Sequence, residues 1–154
     1  MRYPKRPRLK GFPYQGSFNY FVTIGAYQKT PYFQNEQLIA MVLPILQKVS
    51  TQFKFSIADY CFMPDHLHLL LVGEETSSLK DFVRVFKQRS SFYFRQKQNA
   101  PLWQPSYYDH ILRKEESLKG VARYILENPV RKGLVDNFKK YAFLGSMIFD
   151  ITEL

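Results

Sequence analysis

The 154-residue chain has a single cysteine, and that scarcity excludes two classes at once. Cys61 cannot close an internal disulfide, and no thiolate cluster exists to hold a structural zinc. Acidic residues are also few: 13 Asp and Glu stand against 22 Lys and Arg, a formal net charge of +9. No stretch approaches the roughly 18 apolar residues that a membrane span needs. The basic start, MRYPKRPRLKG, leads into no signal-type apolar core. No repeat, low-complexity tract or linker divides the chain. With 45% hydrophobic and 17% aromatic residues it is neither disordered nor collagen-like. The expectation is one soluble cytoplasmic domain with a single core.

What is present begins with clustered positive charge. Arg2, Lys5, Arg6, Arg8 and Lys10 meet no acid, and residues 113–140 hold eight basic side chains against Glu115, Glu116, Glu127 and Asp136. Such clusters attract polyanions, of which nucleic acid is the commonest in a cytoplasm, although a basic surface can also serve solubility alone.

Periodicity divides the chain into a basic arm (1–16), a core (17–135) and a tail (136–154). Residues 17–27 alternate Tyr20, Val22, Ile24 and Ala26 against Asn19, Phe21 and Thr23, a strand pattern. A helix opens at the N-cap Asn35, buries Leu38, Val42, Ile45 and Val49, and is expected to bend at Pro44. Residues 53–63 and 66–73 form a hairpin of two strands around the turn Pro64-Asp65. A second helix spans 79–97, with Leu79, Phe82, Val83, Phe86 and Tyr93 inward and Lys80, Arg84, Lys87 and Arg95 on a neighbouring arc. A strand at 107–113 precedes a third helix, about 116–128, ended by Pro129. The order β–α–β–β–α–β–α is that of an α+β, ferredoxin-like sandwich, an antiparallel sheet with helices on one face and a C-terminal helix after it. The strand at 66–73 should be central, with Leu67, Leu69 and Leu71 under the helices.

Histidine is scarce too, yet two of the three occupy alternate positions in CFMPDHLHLLLVG (61–73). Alternation points His66 and His68 to one side of the sheet. Two such imidazoles can share a divalent metal if a third ligand arrives from elsewhere, but paired histidines also occur simply packed. The third helix offers Tyr124 and Asn128 one turn apart, opposite the stripe Leu118, Ala122, Ile125 and Leu126. A phenol and an amide there suit a hard-cation site; equally, Tyr124 could be a half-buried aromatic and Asn128 a helix cap.

Several segments together resemble one family. YFVTI (20–24), MPDHLHLLL (63–71), LWQPSYYDHILR (102–113) and YILENPVRKGLV (124–135) occur in the order found in the single-tyrosine transposases of the HUH endonuclease superfamily. They are most similar to the REP-associated tyrosine transposases. The resemblance implies that Tyr124 is a nucleophile, that His66, His68 and Asn128 hold Mg²⁺ or Mn²⁺, and that His110 supports the site or contacts DNA. It implies cleavage of single-stranded DNA beside hairpins through a 5′-phosphotyrosine, by a monomer or a homodimer in the cytoplasm, associated with the nucleoid. Arg6, Arg8, Lys80, Arg84, Lys87, Arg95, Trp103, Arg131 and Lys132 are the expected DNA-facing residues. The rival reading is a non-catalytic nucleic-acid-binding domain of the same fold, for which paired histidines have no purpose.

Overall fold

The structure, a computed structural model, describes residues 9–154, so Arg6 and Arg8 lie outside the described residues. Five strands form one antiparallel sheet: β1 (Asn19–Gly25), β2 (Phe55–Met63), β3 (His66–Gly73), β4 (Tyr108–Ile111) and β5 (Leu144–Gly145). Their order is β4-β1-β3-β2-β5, which places β3 at the centre as expected. No helix among the described residues is long and apolar enough to cross a membrane.

Helices α1 (Glu36–Gln52) and α2 (Leu79–Lys97) pack on one face of the sheet, over Val22, Ile24, Leu67, Leu69 and Leu71. Both begin where a capping side chain satisfies an otherwise unpaired backbone donor. Asn35 accepts from the N–H groups of Gln37 and Leu38, and Ser78 accepts from Asp81. Pro44 is exposed and α1 runs through it. The inward stripes differ from expectation by one residue in each helix. Leu46 is buried where Ile45 was expected, and Phe94 is buried where Tyr93 is half-exposed. Adjacent positions on a helix differ by about 100°, so a stripe inferred from spacing can slip by one residue while keeping its period.

The opposite face, which carries the histidines, is covered in part. Helix α3 (Leu118–Leu126) lays Val121, Ala122, Ile125 and Leu126 against Phe21, Ala58, Cys61, Met63 and Leu70. Pro129 does not end helical geometry here. Lacking an N–H it breaks the ladder, and the chain restarts as the short helix α4 (Asn128–Arg131) with Pro129 in its first turn. The tail, silent in sequence, closes the sheet edge. Strand β5 pairs with β2, Tyr141 donates to the Phe62 carbonyl at 2.5 Å, and Leu154 is buried in the same cluster.

A bulge in β2 decides which side chains share the histidine face. Phe55 and Ile57 lie under α1 and α2, and so do Tyr60 and Phe62; the register shift between Ile57 and Asp59 reverses the parity. Cys61 and Met63 are thereby turned to the side of their cross-strand partners, His68 and His66. Asp59 is drawn inside as well. Its carboxyl is fully buried, its two oxygens have no hydrogen-bond partner among the described residues, and burial raises its pKa well above the ordinary range. The folded state therefore binds this proton more tightly than the unfolded chain does. Stability from this group is complete below the unfolded value of about 4 and is lost as pH rises from there towards the folded value. Asp59→Asn should therefore stabilise the protein at pH 7. In thermal melts the advantage should shrink as pH falls towards 4; a constant difference would mean that Asp59 does not titrate in this way.

Candidate active site

The Nε2 atoms of His66 and His68 face each other at 3.0 Å. Their other ring nitrogens are held from opposite directions. His66 Nδ1 lies 2.6 Å from Asp65 Oδ1, and His68 Nδ1 lies 2.9 Å from Thr23 Oγ1. Asp65 belongs to the turn that opens β3, and Thr23 is the cross-strand partner of His68 on β1. The Asp65 carboxylate faces Nδ1 of His66 and so turns the Nε2 of that ring towards His68. Burial first, then the charges of His66, Arg131 and Lys132, hold the pKa of His68 well below its ordinary value, so its imidazole is neutral. With both Nδ1 atoms protonated, the two Nε2 lone pairs would point at one another, an arrangement a shared cation relieves. The pair thus fits a divalent metal. Among the described residues no three His, Cys, Asp or Glu side chains group to hold an ion.

The α3–α4 segment stands over this pair. Ser117 caps α3 through the Gly120 N–H at 2.8 Å, and the buried stripe fixes the helix by its apolar side. Tyr124 is half-buried, and Asn128, expected on the exposed side, is buried at 9% exposure. The ring of Phe21 bridges the two elements, 5.4 Å from His68 and 6.4 Å from Tyr124. Arg131 reaches back from α4 over two turns. Its guanidinium lies 3.9 Å from the Tyr124 ring centroid and donates to the Tyr124 carbonyl at 2.6 Å. His110 on β4 pairs with Phe21 in register and so shares the histidine face; its Nε2 is held by both oxygens of Glu116, at 2.9 and 3.0 Å.

Three residues of this site were not singled out by sequence reasoning. Asp65 reads as a turn residue and is one, but it also orients His66. Thr23 is invisible without the strand register. The carboxamide of Gln104 occupies the space over Gly25, where a Cβ would lie 2.1 Å from its nitrogen, and Gly25 is the cross-strand partner of His66. The absent side chain at position 25 is what admits Gln104.

The expected DNA-facing residues divide. Arg131 and Lys132 stand beside the site. Lys80, Arg84 and Arg95 are exposed on α2, in the layer on the other side of the sheet, and Arg84 is paired with Asp81. Lys87 is a structural clamp: its ammonium donates to the carbonyls of Gln104 and Ser106, both at 2.9 Å. Trp103 is corrected to a core residue, 6% exposed, packed on Phe33 and Phe86 and donating to Ser90 Oγ at 2.8 Å. An indole held in this way has no face to offer a base.

Comparison with known proteins assigns the chain to a family. The family described as transposase IS200 like matches residues 15–128, most of the chain. The chain belongs to the IS200-like transposase family. A Haemophilus influenzae relative named as a REP-associated tyrosine transposase is 24% identical over 136 residues, covering 80% of this chain and 77% of its own. An uncharacterised protein of the same organism is 25% identical over 155 residues, covering 80% and 86%. A solved REP-associated tyrosine transposase bound to a REP hairpin shares the fold, with a TM-score of 0.74, 19% identity and coverage of 90% of this chain and 82% of that one. A transposase-like chain from Deinococcus radiodurans gives 0.55 at 22% identity, covering 78% and 95%.

The environment of His68 can be read directly. In a long-range ¹⁵N NMR titration of metal-free protein, His68 should remain neutral well below the ordinary midpoint near 6.5. Arg131→Ala should move its midpoint part of the way back, since Arg131 contributes less than burial does. A midpoint near the ordinary value in the wild type would contradict the described burial.

Proposed function

We propose that this transposase is a metal-dependent single-stranded DNA endonuclease and strand transferase. In this reading it cuts at hairpin-associated repeat sequences through a 5′-phosphotyrosine on Tyr124. The observation that supports the reading is the facing Nε2 pair of His66 and His68 on the sheet face covered by α3 and α4, which carry Tyr124 and then Asn128 and Arg131. The hairpin in the solved relative supports a hairpin-bearing partner.

A phosphodiester resists nucleophiles because its oxygens carry negative charge. Mg²⁺ or Mn²⁺ held by His66, His68 and Asn128 would supply the charge that polarises the scissile phosphate. Asp65 and Thr23 fix the two imidazoles so that neither has to reorient. The phenol oxygen of Tyr124 gives up its proton and bonds to phosphorus, the P–O3′ bond breaks, and the departing oxygen takes a proton to become a 3′-hydroxyl. The bond energy remains in the phosphotyrosine, so another 3′-hydroxyl can attack it and rejoin strands. Arg131 holds the tyrosine ring from behind, and with Lys132 it gives the DNA backbone a positive surface beside the reacting group. His110, fixed by Glu116 on the same sheet face, lines the approach. A protein of this activity works where DNA is, in the cytoplasm and at the nucleoid.

Two measurements test the reading. With 3′-labelled single-stranded hairpin DNA and Mn²⁺, wild type should give a denaturation-resistant protein–DNA adduct that disappears in Tyr124→Phe and persists in Tyr107→Phe and Tyr108→Phe. An adduct retained by Tyr124→Phe would mean that another tyrosine is the nucleophile, and no adduct in the wild type would favour the binding-only reading. In calorimetric titrations with Mn²⁺, Asp65→Ala and Thr23→Val should each weaken binding by about 10- to 100-fold. Unaltered affinity in both would remove the orienting role given to them.

A further inference from the structure

Backbone anchoring concentrates on one loop beside the histidines. Residues 102–104 run antiparallel to the end of β1. Tyr27 N–H donates to the Leu102 carbonyl at 2.9 Å, Trp103 bridges to Ala26, and Gln104 N–H donates to the Gly25 carbonyl at 3.1 Å. The Trp103 indole holds the loop from the core side through Ser90 Oγ, and the Lys87 ammonium holds the Gln104 and Ser106 carbonyls. The same end of β1 is tied to the histidine turn, since Ala26 N–H donates to the Asp65 carbonyl at 2.8 Å. Both backbone polar groups of Gln104 are thus committed. Its half-buried carboxamide, by contrast, makes no hydrogen bond among the described residues. A loop fixed at so many points presents that amide in a defined place and leaves its bonding capacity unspent.

The place is beside His66. Alternation along β1 sends Phe21, Thr23 and Gly25 to the histidine face, where Thr23 already meets His68. Gly25 stands opposite His66 in the same register. Because Ala26 and Asp65 are the hydrogen-bonded pair, Gly25 and His66 form the other kind, in which Cα atoms come to about 4.5 Å and side chains lie closest. Gly25 has no side chain to put there, and Gln104 takes the space. An added Cβ would lie 2.1 Å from its carboxamide nitrogen and 2.8 Å from its Cδ. The β1 side of the histidine pair therefore carries Thr23 at His68 and the Gln104 amide at His66. Two imidazoles supply only two donors, and no third His, Cys, Asp or Glu among the described residues joins them. Mg²⁺ and Mn²⁺ favour several oxygen ligands. A carboxamide oxygen adds one without adding charge, and the last torsion of an amide with no partner turns easily enough to face it to a cation.

We infer that Gln104 is a further ligand of the divalent metal, its carboxamide oxygen meeting the cation from the β1 side of the histidine pair. The inference rests on the metal-dependent reading above. Gly25 is the residue that makes it possible, because any side chain at position 25 would push the amide aside. Lys87 and Trp103, which fix the loop, act on the metal only through Gln104. The two parts of the site thus come from separate segments: the histidines from β3 and the added oxygen from the loop that leads into β4.

The test is Mn²⁺ calorimetry on the full chain, with thermal melts to confirm that each variant is folded. Gln104→Ala and Gly25→Ala should each weaken Mn²⁺ binding about tenfold, and the double variant should be no weaker than either, since both remove the same amide. Gln104→Glu should instead tighten binding about tenfold, because it puts a carboxylate where the amide stood. Gly25→Ala should cancel that gain. A role confined to packing the loop would not reverse sign between alanine and glutamate. In protein labelled with ¹⁵N-glutamine, the side-chain signal that Gln104→Ala removes should broaden at substoichiometric Mn²⁺ before those of the other glutamines. Unaltered affinity in Gln104→Ala and Gly25→Ala, with binding still lost in His66→Ala, would overturn this inference and leave the metal-dependent reading standing. So would weaker binding in Gln104→Glu, or a Gln104 signal that stays sharp while Mn²⁺ binds. Failure of the wild type to bind Mn²⁺, alone or with hairpin DNA, would overturn the metal-dependent reading and this inference with it.

Discussion

The central strand has to satisfy two apolar faces at once, and the placement of every functional group follows from how it does so. Leu67, Leu69 and Leu71 fill the side covered by α1 and α2, while Leu70 fills the other side beneath α3. The histidines occupy the two positions of that second face nearest the Pro64-Asp65 turn, where α3 does not bury everything. Imidazoles there must find polar partners, because an unpaired ring nitrogen in an apolar setting is costly. Asp65 and Thr23 meet that need from two different strand ends. The result is a pair whose inner nitrogens have no direction left but towards each other.

Helix α3 solves a related problem with a different device. On the proposed reading Tyr124 is a nucleophile that must be held firmly yet remain accessible, and its neighbours serve both needs. Ala122, Ile125 and Leu126 anchor the helix, Phe21 supports one side of the ring, and Arg131 covers the other. That last contact depends on Pro129. By breaking the ladder and restarting it, the proline keeps the chain helical long enough for Arg131 to return over Tyr124, two turns away. A sequence in which the helix simply stopped at 128 would have no such clamp.

The strands, the helices and their order were legible because short-range rules determine them: alternation, capping by Asn35 and Ser78, and the turn at Pro64-Asp65. The histidine pair was legible for the same reason, since a spacing of two in a strand puts residues on one face; for Tyr124 and Asn128 a spacing of four left a packed aromatic and a helix cap equally open, and only the family resemblance singled them out. What stayed hidden depends on register between strands. Thr23 meets His68, and Gln104 fills the space at Gly25, only because β1 is aligned with β3 in one way. The β2 bulge, which turns Cys61 and Met63 to the histidine side, has no marker in FSIADYCFM. Trp103 and Lys87 were misjudged for a different reason. An aromatic and a cation beside a loop look like a nucleic-acid surface, whereas here they hold the loop itself, one by packing into the core and the other by bonding two carbonyls.

The charge around His68 bears on the order in which the proposed partners assemble. Arg131 and Lys132 lie close enough to disfavour an imidazolium, and the same field disfavours any bare cation at that place. A phosphate reverses the balance, since its negative charge is attracted by both cationic side chains and by a metal between the histidines. On the proposed reading the two ligands therefore favour one another: each lowers the electrostatic cost of the other, and linkage requires the coupling to be equal in both directions. On that reading the site would hold its metal weakly when empty of DNA and more tightly when a strand is in place. The proposed chemistry would thereby be confined to the moment when a phosphate stands between the histidines and Tyr124.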